Sequence, residues 1–232
     1  MTKNEPLAER RLTSAHEDYL KAIYMLNAKG EKVTNSALAT QLEVSPASAT
    51  NMVKKLADLD LVEYTPYQSM ALTASGERVA LEVLRHHRLL ELYLHEKLDL
   101  SWDQVHAEAE RLEHVISETL EDAISRALGN PTVDPHGDPI PNKKGQIEKV
   151  SGVPLTQATL QQKYRLMRVL MQDDDRLRYL GTLGLYPNAI LTLLERAPFD
   201  GPLLIDIHGK HHALAYDMAE LLLVAAEVEP AA

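Results

Sequence analysis

The segment TNSALATQLEVSPASATNMVKK, Thr34–Lys55, carries two short helical patterns separated only by Glu43-Val44. The first, from Thr34 to Leu42, sets Leu38 and Leu42 one turn apart. The second starts at Ser45, a residue type that caps helix N-termini, with Pro46 at the favoured first helical position. It turns Met52, Val53 and Leu56 to one side. So short a connection is a helix-turn-helix. The second helix is small and polar near its start, which lets a backbone approach the major groove of duplex DNA. Ser45, Ser48, Thr50 and Asn51 are candidates for contacts to bases or phosphates, Ala47 for a thymine methyl, and Lys54 and Lys55 for phosphate neutralisation. A helix pair of this shape that serves only protein contacts remains open at this point.

Upstream, Ser14 to Lys29 is expected to be a helix, with Ser14 as cap and Glu17 completing a capping box. Tyr19, Leu20, Ile23, Tyr24 and Leu26 follow its periodicity, and Gly30 ends it. Downstream, Leu61–Thr65 and Met70–Thr73 predict two short strands around the turn Pro66-Tyr-Gln-Ser, a β-wing. Thr73 and Ser75 then introduce a long helix from Glu77 to about Leu98. After a break at Asp99–Trp102, with Ser101 as cap, helix is expected through Ser117 and on to Leu128, until Gly129-Asn-Pro stops it. Gly129 to Pro141 is a turn-rich connector. Beyond Val153, Tyr164–Leu170, Ala189–Glu195, Leu203–His208 and Ala213–Tyr216 predict short strands, and Asp175–Leu183 a short helix. The fold class is therefore mainly α with a small β domain of barrel type. The expected divisions are 1–76, a winged helix-turn-helix, 77–150, a helical domain with connector, and 151–232, the β domain.

The 232 residues are 45% hydrophobic, enough for real cores. Cysteine is absent, which excludes disulfides, zinc-thiolate sites and iron-sulfur clusters. Met1 to Leu12 is charged and has no apolar core of a signal peptide, and no apolar run approaches bilayer length, so a cytoplasmic chain without membrane partners is expected. The net charge of −10 argues against a general nucleic-acid binder. It is unevenly spread: Val44–Ala57 has two Lys and no acid, whereas acids dominate from Glu91 to Glu113. A protein that binds DNA after its acidic clusters take up cations would have this distribution, and so would an ordinary acidic protein.

The stretch His106-Ala-Glu-Ala-Glu110-Arg-Leu-Glu113-His114 offers four metal-ligating side chains. On an ideal helix, with His106 at 0°, Glu110 falls near ~40°, Glu113 near ~−20° and His114 near ~80°. Val105, Ala109, Leu112 and Ile116 occupy the neighbouring arc, so the candidate ligands flank a buried stripe. His87 and Glu91 share a face at i and i+4. A solvated helix face would carry the same residue types. However, five of the ten histidines lie between His86 and His114, and the Glu/His positions sit against the apolar shoulder. Imidazole and carboxylate, with Asp18 available from the first helix, suit Mn(II) or Fe(II). Enzymatic motifs are absent: His95-Glu96-Lys-Leu-Asp99 fails as a His-Glu-x-x-His site, and there is no Glu-x-x-His pair, Gly-rich phosphate loop or nucleophile elbow. No catalysis and no small organic substrate are expected.

These separated motifs, in this order, resemble the diphtheria toxin repressor family of metal-dependent transcription regulators, and especially its manganese transport regulator branch. The resemblance is carried by Glu17-Asp-Tyr-Leu, Ser45-Pro-Ala-Ser-Ala-Thr, His87-Arg-Leu-Leu-Glu91, Val105-His106 through Glu113-His114, and Gly184-Leu-Tyr-Pro-Asn-Ala in an SH3-like tail. It implies a homodimer on a palindromic operator, a helical metal-binding and dimerisation domain, and a C-terminal SH3-like (ferrous transport A-like) β-barrel. It further implies a repressor of metal-homeostasis genes with Mn2+ as corepressor, Fe2+ being the alternative. The implied primary site is Asp18, Glu110, Glu113 and His114; the ancillary site is His87, Glu91 and His106, with Gln172 added from the tail. Val169 stands where the family's tail supplies a carboxylate, with Asp173 as the substitute. Lys21 stands where two-domain manganese regulators carry a Glu, so two separate sites are expected rather than a binuclear one.

Overall fold

Helix α1 (Ser14–Ala28) takes Thr13 as its cap: Thr13 is extended (φ −93°, ψ 159°), and its N–H donates to His16 Nδ1 at 3.1 Å. The expected Ser14/Glu17 capping box is thus displaced by one residue. Thr and Ser are both residue types that cap, and the earlier start gains the turn bonds from His16 and Glu17 N–H to the Thr13 carbonyl. The computed structural model describes residues 12–65 and 69–227. They fall into two bodies: residues up to His86 with Lys143–Gly145, and His87–Asn142 with Gln146 onward.

In the first body, α2 (Asn35–Gln41) is capped by Thr34, whose hydroxyl accepts from Ala37 N–H at 3.1 Å. Helix α3 (Pro46–Asp58) is capped by Ser45, accepting from Ser48 N–H at 3.1 Å. The intervening turn bends at Glu43, with φ +53°. Strands β1 (Val62–Glu63) and β2 (Ala71–Leu72) pair antiparallel and are shorter than expected; the wing tip, residues 66–68, lies outside the described residues. Met70 N–H donates to the Val33 carbonyl, which ties the wing to the start of α2. Helix α4 (Ala74–Leu98) opens with Thr73 accepting from Gly76 N–H, and Gly76 lies so close to the Leu61 carbonyl that no Cβ fits. Leu20, Ile23, Leu38, Val53, Leu56 and Met70 are fully buried in the core of this body.

The second body takes α4 from His87 onward. Helix α5 (Val105–Leu112) does not run on to Ser117 as expected: residues 113–117 form a turn, and α6 (Glu118–Ala127) starts afresh with the Ser117 hydroxyl accepting from Leu120 N–H at 3.3 Å. A β-branched pair, Val115-Ile116, directly before a strong cap residue favours that break. Ser101 is not the cap of α5; Gln104 is, because Ser101–Gln104 is itself a turn. Leu112, expected inside, is 39% exposed.

The sheet of this body has the order β3-β8-β4-β5-β6-β7, every pair antiparallel. Its strands are β3 (Val153–Pro154), β4 (Lys163–Val169), β5 (Ile190–Arg196), β6 (Leu203–Ile207), β7 (Lys210–Leu214) and β8 (Leu222–Ala226). Helix α7 (Asp174–Leu183) follows β4, and α8 (Tyr216–Glu220) precedes β8. The last expected strand, Ala213–Tyr216, is instead Lys210–Leu214, made a hairpin with β6 by His208 and Gly209, both at positive φ. Strand β8 was not anticipated: Leu221-Leu-Leu-Val-Ala-Ala is a continuous apolar run, the pattern of a strand covered on both faces, which periodicity does not distinguish from helix. Register shifts in β4 and β5 bend the sheet around Leu166, Leu193, Ile205 and Val224. Among the described residues, no helix is long and apolar enough to cross a membrane.

Candidate metal centre

Helix α4 carries His87 and Glu91 on one face, both buried, and α5 carries His106 opposite them. Glu91 Oε1 lies 3.0 Å from His87 Nε2 and 3.1 Å from His106 Nδ1, and the two imidazole nitrogens are 3.0 Å apart. His87 Nδ1 lies 2.5 Å from Glu113 Oε2, in the turn after α5. Glu110 is nearly half exposed, with Oε1 3.9 Å from His87 Nδ1 and from His106 Nε2. His114 Nε2 is 3.4 Å from Glu113 Oε1. The structure therefore brings His87, Glu91, His106, Glu110, Glu113 and His114 together within the second body. Asp18 and Lys21 lie on α1 of the first body.

The connector, expected only to be turn-rich, supplies residues the sequence reading did not assign to a site. Asp134, His136 and Asp138 are buried, His136 completely. Their turn is tightly determined: Asp134 Oδ1 accepts from the N–H groups of His136 (2.8 Å) and Asp138 (2.9 Å). His136 Nε2 is 2.8 Å from the Trp102 carbonyl, and its ring stacks on Trp102. An imidazole that donates from Nε2 turns its Nδ1 lone pair inward, the orientation a metal-ligating histidine needs. Nδ1 lies 3.8 Å from Glu91 Oε2. Glu91 Oε2, Asp134 Oδ2 and His136 Nδ1 are all buried without a hydrogen-bond partner, yet one ligand atom from each residue lies within 4.8 Å of the others. A legible signal was available: two acids and a histidine packed among prolines in Asp134-Pro-His-Gly-Asp-Pro.

Electrostatics point the same way. Burial works to raise the Glu91 carboxyl, but the charge of His87, the hydrogen bonds of His106 and His87 and the nearby His136 imidazole hold it well below the usual carboxylate range. Burial, then Asp138 and Glu91, push Asp134 well above its ordinary value. Burial works to lower His136, but Glu91 and Asp134 raise it to about 9. Protons thus fill a buried, acidic pocket that a divalent cation would fill better. The donors are oxygen and imidazole nitrogen only, which fits a hard or borderline divalent ion. Arg88, itself buried, borders the pocket with Nη1 2.5 Å from the Pro139 carbonyl and Nε 3.8 Å from Asp134 Oδ2. Gln172 is exposed, and Asp173 uses its carboxylate to cap α7, accepting from Arg176 N–H at 2.9 Å.

On α3, Ala47, Ser48, Asn51, Lys54 and Lys55 are exposed. The Ser45 hydroxyl is engaged at the cap, and Thr50 donates to the Pro46 carbonyl at 2.8 Å.

Comparison with known proteins agrees with this layout. The iron dependent repressor N-terminal DNA binding domain matches residues 11–70, the iron dependent repressor metal binding and dimerisation domain matches 73–142, and the FeoA domain matches 153–226. The iron-dependent repressor IdeR of Mycobacterium leprae is 29% identical over 92% of this chain and 97% of its own length. The diphtheria toxin repressor of Corynebacterium diphtheriae is 26% identical over the same shares. Among solved structures, a manganese-dependent transcriptional repressor in complex with manganese superposes with a TM-score of 0.83 at 35% identity, covering 91% of this chain and all of that one. The manganese regulator SloR gives 0.74 at 33% identity, covering 93% and 100%. A DNA-binding module, a helical metal-binding module and a FeoA domain in this order make the chain a member of the diphtheria toxin repressor family, whose members are metal-dependent DNA-binding transcriptional repressors and not enzymes.

Proposed function

We propose that this repressor answers to Mn(II), acts in the cytoplasm as a homodimer, and silences metal-homeostasis genes from a palindromic operator when manganese is plentiful. The observation that carries the choice of metal is the donor set. Glu110 offers a carboxylate, and every other candidate ligand is oxygen or imidazole in a chain without cysteine. The primary site is Asp18, Glu110, Glu113 and His114. The second site is His87, Glu91 and His106, joined by Asp134 and His136 from the connector; Gln172 is not needed for it. The structural neighbour described as a complex with manganese supports this reading.

In this mechanism, residues of three segments do the work. Glu110, Glu113 and His114 present ligands beside the core of the second body, and Asp18 brings α1, and with it the recognition helix α3, under their control. A bound divalent cation supplies positive charge that relieves repulsion among clustered carboxylates, a local change that biases a two-state element. On α3, Asn51, Ser48 and Ala47 read bases, while Lys54 and Lys55 hold phosphates. With so few cations per chain, two copies on a two-fold site are needed for useful affinity. Leu112, Val115 and Leu120, all exposed around the end of α5 and the start of α6, support self-association there.

The second reading makes Fe(II) the effector, favoured by the iron-dependent repressors among the relatives. Anaerobic titration of the metal-free protein with Mn(II) and with Fe(II), read as DNA affinity, separates the two. DNA affinity that rises at lower Fe(II) than Mn(II), at matched free metal, overturns the manganese assignment.

A further inference from the structure

The 134–138 turn that carries Asp134 and His136 is closed by its own hydrogen bonds and touched by Trp102 and Arg88, and it has one further support. That support is one strand, β4, along the edge that β5 leaves open while β8 stays paired on the other side. The β4–β5 pairing stops at Arg165, and β4 shifts register against β8 between Leu166 and Arg168. The turn fills the gap in three ways. Val169 N–H donates to the His136 carbonyl at 2.9 Å. Gly137, at φ +83°, lies against the Met167 carbonyl and Arg168 Cα so closely that any side chain would collide with backbone. Arg168 extends from the irregular stretch to an ion pair with Asp138, whose carboxylate also faces Arg88 Nη2 at 3.6 Å. Asp138 in turn donates its N–H to Asp134 Oδ1.

We propose that β4 of the FeoA domain is the positioning element of the Glu91–Asp134–His136 pocket, acting through Arg168 and through the close approach of Gly137. The domain then contributes to metal binding by holding a ligand-bearing turn with a guanidinium and a backbone N–H. It needs no metal ligand of its own, consistent with an apolar Val169 and with an Asp173 engaged as a helix cap. Arg168 also balances Asp138, which leaves the Asp134 carboxylate to the metal. Supporting groups of this kind typically change metal affinity by about 10–100-fold. The inference rests on the two-site reading above.

The test counts Mn(II) on the full-length protein by calorimetry, with electron paramagnetic resonance of the bound Mn(II) as a second readout. The wild type is expected to bind at two sites, and Glu91→Ala at one. Arg168→Gln is expected to weaken one site by about 10–100-fold, alter the resonance of that Mn(II), and leave the other site unchanged. Arg168→Lys should restore much of the affinity. Gly137→Ala should reproduce the loss by a route that removes no charge. If Glu91→Ala loses a site while Arg168→Gln keeps both at full affinity, the positioning role is wrong and the two-site reading stands. If the wild type itself binds a single Mn(II), the reading fails and the inference with it.

Discussion

Asp134→Asn separates a metal pocket from a structural ion-pair network, because the two accounts predict opposite signs. The substitution keeps the side-chain shape and the Oδ1 acceptor that receives His136 and Asp138 N–H. It removes a buried carboxyl that burial, Asp138 and Glu91 push well above its ordinary value, and puts an amide in its place beside Glu91 and Arg88. In the metal-free protein, an amide of the same shape that cannot ionise beside Glu91 and Asp138 should leave the melting temperature equal or higher. With saturating Mn(II), a site weakened by 10–100-fold loses about 1.4–2.7 kcal/mol of linkage stabilisation. At roughly 2–4 °C per kcal/mol for a chain of this size, the Mn(II)-induced shift should shrink by roughly 3–11 °C. If Asp134 served instead as the structural partner of Arg88, breaking that buried pair would destabilise the metal-free protein by about 3–5 kcal/mol. Differential scanning fluorimetry with and without Mn(II) decides between them. A metal-free variant that melts far below wild type yet keeps the full Mn(II) shift refutes the assignment of Asp134 as a ligand.

Lys54→Ala and Lys55→Ala should each weaken binding to all DNA sequences about equally and lower the slope of log affinity against log salt by about 1, whereas Asn51→Ala should mainly relax sequence preference, by about 1–3 kcal/mol at one base pair; unchanged salt slopes would remove the lysines from the interface. Gly76→Ala forces a Cβ into the Leu61 carbonyl and should destabilise the first body by about 1–3 kcal/mol, read as an earlier melting transition or loss of DNA binding. Asp103 supplies a pH test. Burial works to raise its carboxyl, but the Ser101 hydroxyl, a backbone N–H and the Arg178 guanidinium hold it below the usual range. Its contribution to stability is therefore present above its unfolded value of 3.8 and is lost as pH falls through the lower folded value. Asp103→Asn should lower stability at neutral pH and flatten the acid limb of the curve, and an unaltered acid limb would rule out that role.

What the sequence made legible follows from which signals are local. The helix-turn-helix was readable because Thr34, Ser45 and Pro46 act on their own helix ends, and each caps or opens a helix where expected. His87 and Glu91 were readable as a pair because their i, i+4 spacing puts them on one helix face, whereas the grouping of His106 with them was implied by the family resemblance. The break at Glu113–Ser117 was missed because an ideal helical projection cannot register a β-branched pair meeting a new cap. Strand β8 was missed because an apolar run without alternation has no period to read. The connector was missed for a different reason. Prolines and glycine announced a loop, and loops normally lie at the surface, but this one is buried because β4, some 30 residues downstream (Val169 N–H to His136 O), covers its backbone. That contact is long-range and leaves no local trace at Asp134 or His136.

Control of DNA binding by metal occupancy is read out by fluorescence anisotropy on a duplex selected from random-sequence DNA with the Mn(II)-loaded protein. Wild-type affinity should fall at least about tenfold, 1.4 kcal/mol, when Mn(II) is removed, and Glu110→Ala should bind weakly whether or not Mn(II) is present. Equal affinity with and without metal, undisturbed by Glu110→Ala, would contradict the account.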